Sequence, residues 1–78
     1  MAPPNYMHIP FKPNGEEGWT FTRTSAEGSC GDSTYTLYYN GVKMSQQNFY
    51  NEPDTLDEAI AEAIRAYQNW SDSNNNSE

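Results

Sequence analysis

The most regular pattern in the chain is a spacing of three and four. Leu56, Ala59, Ile60, Ala63, Ile64, Tyr67 and Trp70 fall on one face of a 3.6-residue helix, which predicts an amphipathic helix over residues 53–70. Thr55 is placed to cap the first free backbone N–H groups. Glu58, three residues on, is placed to reach back to the Thr55 N–H, completing a capping box. Asp57, Glu58, Glu62, Arg65, Gln68 and Asn69 take the opposite face. The acids gather at the start, where the helix dipole favours negative charge.

Earlier in the chain the period changes to two. Residues 19–24, WTFTRT, alternate rings with threonines, as in a strand with one buried face, so Trp19 and Phe21 should face the helix. Asn40-Gly41 is the preferred pair for a two-residue type I′ hairpin, whose central positions both need positive φ. Counting outward opposes Tyr39 to Val42, Leu37 to Met44 and Tyr35 to Gln46 on the apolar side. On the polar side it opposes Tyr38 to Lys43, Thr36 to Ser45 and Thr34 to Gln47. Phe49 breaks this alternation, so the strand should end or bulge near Gln47, with Phe49 and Tyr50 pinning the link into the helix. The expected fold is α+β: a three-stranded antiparallel β-meander with one C-terminal α-helix packed on one face, βββα. Its core would be Trp19, Phe21, Leu37, Tyr39, Val42, Met44, Leu56, Ile60, Ile64 and Tyr67. The open face would show Thr20, Thr22, Thr24, Thr34, Thr36, Tyr38, Lys43, Ser45 and Gln47.

The flanks read differently. Residues 1–18 hold four of the five prolines and two glycines, which excludes a helix or central strand and predicts an extended arm. In that arm Tyr6, Met7, Ile9 and Phe11 would lie along an open sheet edge or cover the end of the core, with His8 and Lys12 outward and Glu16 and Glu17 in a solvated turn. Residues 25–33 are small, polar or glycine and read as a flexible connection. Residues 71–78 contain no apolar side chain and are expected to be a disordered tail. The single folded domain would span residues 19–70.

Charge narrows the function. With 78 residues and a net charge of −7, the chain is too short for a deep substrate cavity, and phosphate or an anionic membrane should repel it. Lys12, Arg23, Lys43 and Arg65 are scattered and outnumbered, so direct nucleic-acid binding is not expected. The single cysteine, Cys30, excludes an intrachain disulfide, and no signal-peptide pattern or membrane-length apolar run is present, so a cytoplasmic location is expected. There is no P-loop, dinucleotide fingerprint, H-E-x-x-H or Cys/His cluster, and His8 is the only histidine. Asp57 and Glu58 lie on an exposed flank, where acid/base work is not expected of them. Neither an enzyme nor a cofactor or metal is expected.

What remains is binding to another protein. Glu52, Asp54, Asp57, Glu58 and Glu62 place five acids and no base in one stretch. As a helix it would span about 16 Å, a charge every ~3 Å, close to the ~3.4 Å spacing along one DNA strand. A duplex would need Glu16, Glu17, Glu27 and Asp32 on the same side. In size, acidity and a sheet-plus-helix plan ending in an acidic helix, residues 19–70 resemble the small phage-encoded inhibitors of host defence, anti-CRISPR proteins in particular. No motif is shared. The resemblance implies a host-cytoplasmic inhibitor that blocks a basic nucleic-acid-binding surface of a CRISPR-Cas or restriction complex by bulk and charge mimicry. The alternative is an accessory module that docks through the open sheet face at Thr22, Thr36, Tyr38 and Lys43, with the acids serving solubility. Either would act as a monomer or a homodimer.

Overall fold

Four strands follow one another antiparallel in chain order, β1 (Tyr6–Phe11), β2 (Trp19–Ser25), β3 (Ser33–Tyr39) and β4 (Val42–Phe49). A helix, α1 (Leu56–Asn75), lies over one face of this sheet in the computed structural model, which describes residues 5–25, 33–50 and 53–75. The α+β class, the meander and the C-terminal helix agree with the period changes in the sequence. The strand count is corrected from three to four, because part of the proline-rich arm is β1.

A bulge makes that strand possible. His8 adopts φ 53° and the register shifts between Tyr6 and Ile9, so Tyr6, Ile9 and Phe11, which no simple alternation unites, all pack toward the core. Pro10, opposite Thr20, is tolerated because β1 is an edge strand. A short 3-10 turn (Pro13–Gly15) then leads into β2.

The hairpin forms as expected at its tip, with Asn40 at φ 50° and Gly41 at φ 86°. Tyr39 opposes Val42 and Tyr38 opposes Lys43, but the next pair is Leu37 with Ser45, so Met44 is an extra residue. The expected pairs Leu37–Met44, Thr36–Ser45, Tyr35–Gln46 and Thr34–Gln47 are thus corrected by one position, to Leu37–Ser45, Thr36–Gln46, Tyr35–Gln47 and Thr34–Asn48. A shift of one exchanges the faces of a strand. Ser45 and Gln47 therefore move to the helix side, and Phe49, which broke the simple count, falls in phase with them. Its ring lies 5.5 Å from Tyr35, whereas Tyr50 is 81% exposed.

On the helix side the register makes rows: Phe11, Trp19, Tyr39, Val42; Ile9, Phe21, Leu37, Ser45; Tyr6, Arg23, Tyr35, Gln47; and Ser33 with Phe49. Ala59, Ala63 and Ala66 are fully buried over these rows, where small side chains allow close approach of helix and rings. Trp19, Phe21, Leu37 and Tyr67 are buried as expected, Ile60 and Ile64 only partly. Tyr39, Val42, Met44 and Leu56 are corrected from core to exposed. Phe11 and Tyr35 are buried in their place. Helix α1 begins at Leu56 and continues five residues past Trp70 to Asn75, so residues 71–75 are helical rather than a disordered tail.

Candidate functional site

The acidic stretch meets the solvent at the start of α1, and its geometry begins with the cap. The Glu58 N–H donates to Thr55 Oγ1 at 3.2 Å, the expected half of a capping box. The Glu58 carboxylate accepts from the Asp54 N–H at 2.8 Å, one residue earlier than expected. Glu58 is exposed but committed to the cap. Asp54 and Asp57 are exposed. Glu62 is drawn inward: its side chain is 20% exposed, and its Oε1 is buried, 4.0 Å from Arg65 Nη1 and without a hydrogen bond. Glu52 lies outside the described residues. The row of acids is therefore divided between two outward carboxylates, one capping group and one that faces the core.

What Glu62 faces is a polar pocket of the core. Arg23, fully buried, donates from Nε and Nη2 to Ser33 Oγ at 3.0 and 2.6 Å. Tyr35 stands in the same row, fully buried, with its hydroxyl beside the Arg23 guanidinium. Burial pushes the Tyr35 phenol up to about 12; the Arg23 charge opposes the shift and the Glu62 charge adds to it. Arg23, one of the four scattered bases, is thus a core residue. The alternation already marked it, since it is in phase with Trp19 and Phe21.

At the other end of the core a carboxylate serves structure. Glu16, expected to be solvated, accepts from Trp19 Nε1 at 3.1 Å and from the Tyr67 hydroxyl at 3.3 Å, joining the turn after β1 to the helix. Burial, and then the Glu16 charge, raises the Tyr67 pKa. Glu17 lies 3.8 Å from Lys12 Nζ.

One base, Arg23, and one acid, Glu62, are drawn inward together, so the balance of the surface stays acidic. Among the described residues Glu16, Glu17, Asp54, Asp57, Glu58 and Asp72 are exposed, against Lys12, Lys43 and Arg65. Lys43 donates to Gln46 Oε1 at 2.9 Å.

The alternative site is assembled in part. Tyr38 is half-buried, with the His8 ring 5.0 Å away, and Thr22 is half-buried nearby in the sheet. Thr36 is only 9% exposed and so offers little to a partner, while Lys43 is exposed. Ser45 and Gln47 leave this face for the other, where the Gln47 side chain donates to the Ala66 carbonyl at 2.8 Å and accepts from Asn69 at 3.4 Å. Cys30 lies outside the described residues. Among those described, no three His, Cys, Asp or Glu side chains group as metal ligands, and no helix is long and apolar enough to cross a membrane.

Fold and surface together define a two-layer α+β domain with a negative helix face. Comparison with protein-family models, curated proteins and solved structures finds no match to the chain.

Proposed function

We propose that this protein binds a basic surface of another protein through the outward acids at the start of α1, and so denies that surface to nucleic acid. The observation that supports this best is the fate of the charges. Asp54 and Asp57 stand free on the surface, while Arg23, a quarter of the Lys and Arg complement, is withdrawn into the core. A surface on which acids outnumber bases raises the encounter rate with a basic partner and repels nucleic acid. The resemblance to phage-encoded inhibitors of host defence fits a nucleic-acid-handling complex as that partner.

The test follows from the geometry. Asp54→Lys with Asp57→Lys reverses two outward charges and leaves the Glu58 cap and the inward Glu62 intact. The matched control is Glu17→Lys with Asp72→Lys, which spares Glu16 and its bonds to Trp19 and Tyr67. Against a partner captured from bacterial lysate, the dissociation constant should weaken steeply with salt, and the helix variant should lose binding while the control keeps most of it. Equal loss in both variants would assign the effect to total charge. A salt-independent constant would remove the acidic face as the contact.

A further inference from the structure

Two asparagines of the chain precede a glycine, in the pairs Asn14-Gly15 and Asn40-Gly41. Such a pair can convert without an enzyme. The glycine nitrogen attacks the asparagine Cγ, the Cγ–Nδ2 bond breaks and ammonia leaves, and water then opens the cyclic imide to aspartate or, with the chain rerouted through the side chain, to isoaspartate. Nothing is oxidised or reduced. Glycine favours the attack because no side chain crowds its nitrogen.

The two pairs share one backbone shape. Asn14 has φ 54° and Gly15 φ 77°, while Asn40 has φ 50° and Gly41 φ 86°. Both asparagines are exposed, and a Cβ on either glycine would meet nothing within 4 Å, so crowding does not separate them. Their hydrogen bonds do. The Gly15 N–H, the attacking group, donates to the Lys12 carbonyl at 3.2 Å. The Asn14 side chain is hydrogen-bonded to the Tyr67 hydroxyl, which itself donates to Glu16. Ring closure at Asn14 therefore has to give up both bonds. At the hairpin tip the anchoring bond runs from the Asn40 N–H to the Gly18 carbonyl at 2.8 Å, and it engages neither the Gly41 nitrogen nor the Asn40 side-chain amide. The Asn40 side-chain oxygen rests over Gly18, 2.8 Å from where a Cβ there would stand.

We propose that Asn40 is a site of spontaneous conversion to aspartate and isoaspartate in the folded protein, and that the bonds to Lys12 and Tyr67 protect Asn14 from the same reaction. The product places a carboxylate at the tip of the β3–β4 hairpin. Its isoaspartyl form also lengthens the backbone between Tyr39 and Val42, which pair across the turn. The tip is at the opposite end of β4 from the link into α1, so Asp54 and Asp57 keep their surroundings.

The full chain is incubated at mildly alkaline pH, where the attacking nitrogen gives up its proton more readily. Peptide mass mapping and isoaspartyl methyltransferase labelling then read each site separately. In the folded chain Asn40 should convert faster than Asn14 by roughly tenfold, the factor that one or two hydrogen bonds supply. In guanidinium chloride the two rates should converge. Tyr67→Phe, folded by circular dichroism, should speed conversion at Asn14 by roughly threefold and leave Asn40 unchanged. Equal rates in the folded wild type, or faster conversion of Asn14, would overturn the proposal. An Asn40 that converts only in denaturant would overturn it too, by showing that the turn protects both pairs. A difference that persists in denaturant would assign the contrast to neighbouring residues and overturn the protective role of the fold.

Discussion

The core has two ends under one helix, and they are held by different physics. At the Trp19 end the rings of Phe11, Trp19, Tyr67 and Trp70 meet edge to face or tilted at 5.1 to 6.3 Å. Glu16 joins the Trp19 and Tyr67 polar atoms outside them. At the Arg23 end a guanidinium and a serine hydroxyl are buried beside the Tyr35 phenol, whose ring meets Phe21 and Phe49 at 6.1 and 5.5 Å. The first end draws stability from apolar area and ring geometry. The second contributes little net energy, because hydrogen bonds there replace the hydration that a buried charge loses, and its effect is to favour one arrangement of strands and helix.

Breaking the aromatic end should have the largest effect. Trp19→Ala removes the ring that touches Phe11, Tyr39, Tyr67 and Trp70 and should cost about 3–5 kcal/mol, enough to unfold much of so small a domain. Thermal or urea melts read this directly. At the polar end Arg23→Ala should cost about 2–4 kcal/mol through the cavity and the lost bonds from the guanidinium to Ser33 Oγ. Arg23→Met fills the space without a charge and should lie within about 1 kcal/mol of wild type. A methionine variant as damaging as alanine would show that the guanidinium itself carries the stability.

Much of this contrast was legible in the sequence and part of it was not. The helix, its cap and the Asn40-Gly41 turn depend on contacts four or fewer residues apart, and they were readable. The Met44 bulge was not, because Val42, Lys43 and Met44 alternate as an unbroken strand would and so hide the extra residue. Phe49 was the one visible sign of it. β1 was obscured by Pro10 and by the positive φ of His8, which moves Tyr6, Ile9 and Phe11 out of period two. In the candidate site Asp54 and Asp57 lie outward as the helix pattern implied. The inward turn of Glu62 required knowing that Arg23 and Tyr35 lie beneath.

Smaller effects sharpen the comparison. Glu16→Gln keeps the shape but weakens two acceptor bonds and should lower stability by about 1 kcal/mol. Alkaline titration separates the ends by their phenols. Because the Tyr35 pKa is about 12 in the folded chain against 10.0 ordinarily, the stability linked to its proton is complete below pH 10 and is lost as the pH climbs toward 12. Tyr67, also raised, acts in the same direction. Tyr35→Phe removes the titrating group and should flatten the alkaline decline. An unchanged pH profile would place the loss elsewhere.

The central functional claim is that outward carboxylates of α1 and nucleic acid compete for one basic surface. Its most direct measurement is displacement of a fluorescently labelled DNA duplex from the captured partner, followed by anisotropy as the protein is added. The account predicts that wild type releases the duplex completely and competitively, while the Asp54→Lys, Asp57→Lys variant, folded by circular dichroism, releases it only at far higher concentration. Simultaneous binding of duplex and wild type, or equal potency of the folded variant, would contradict it.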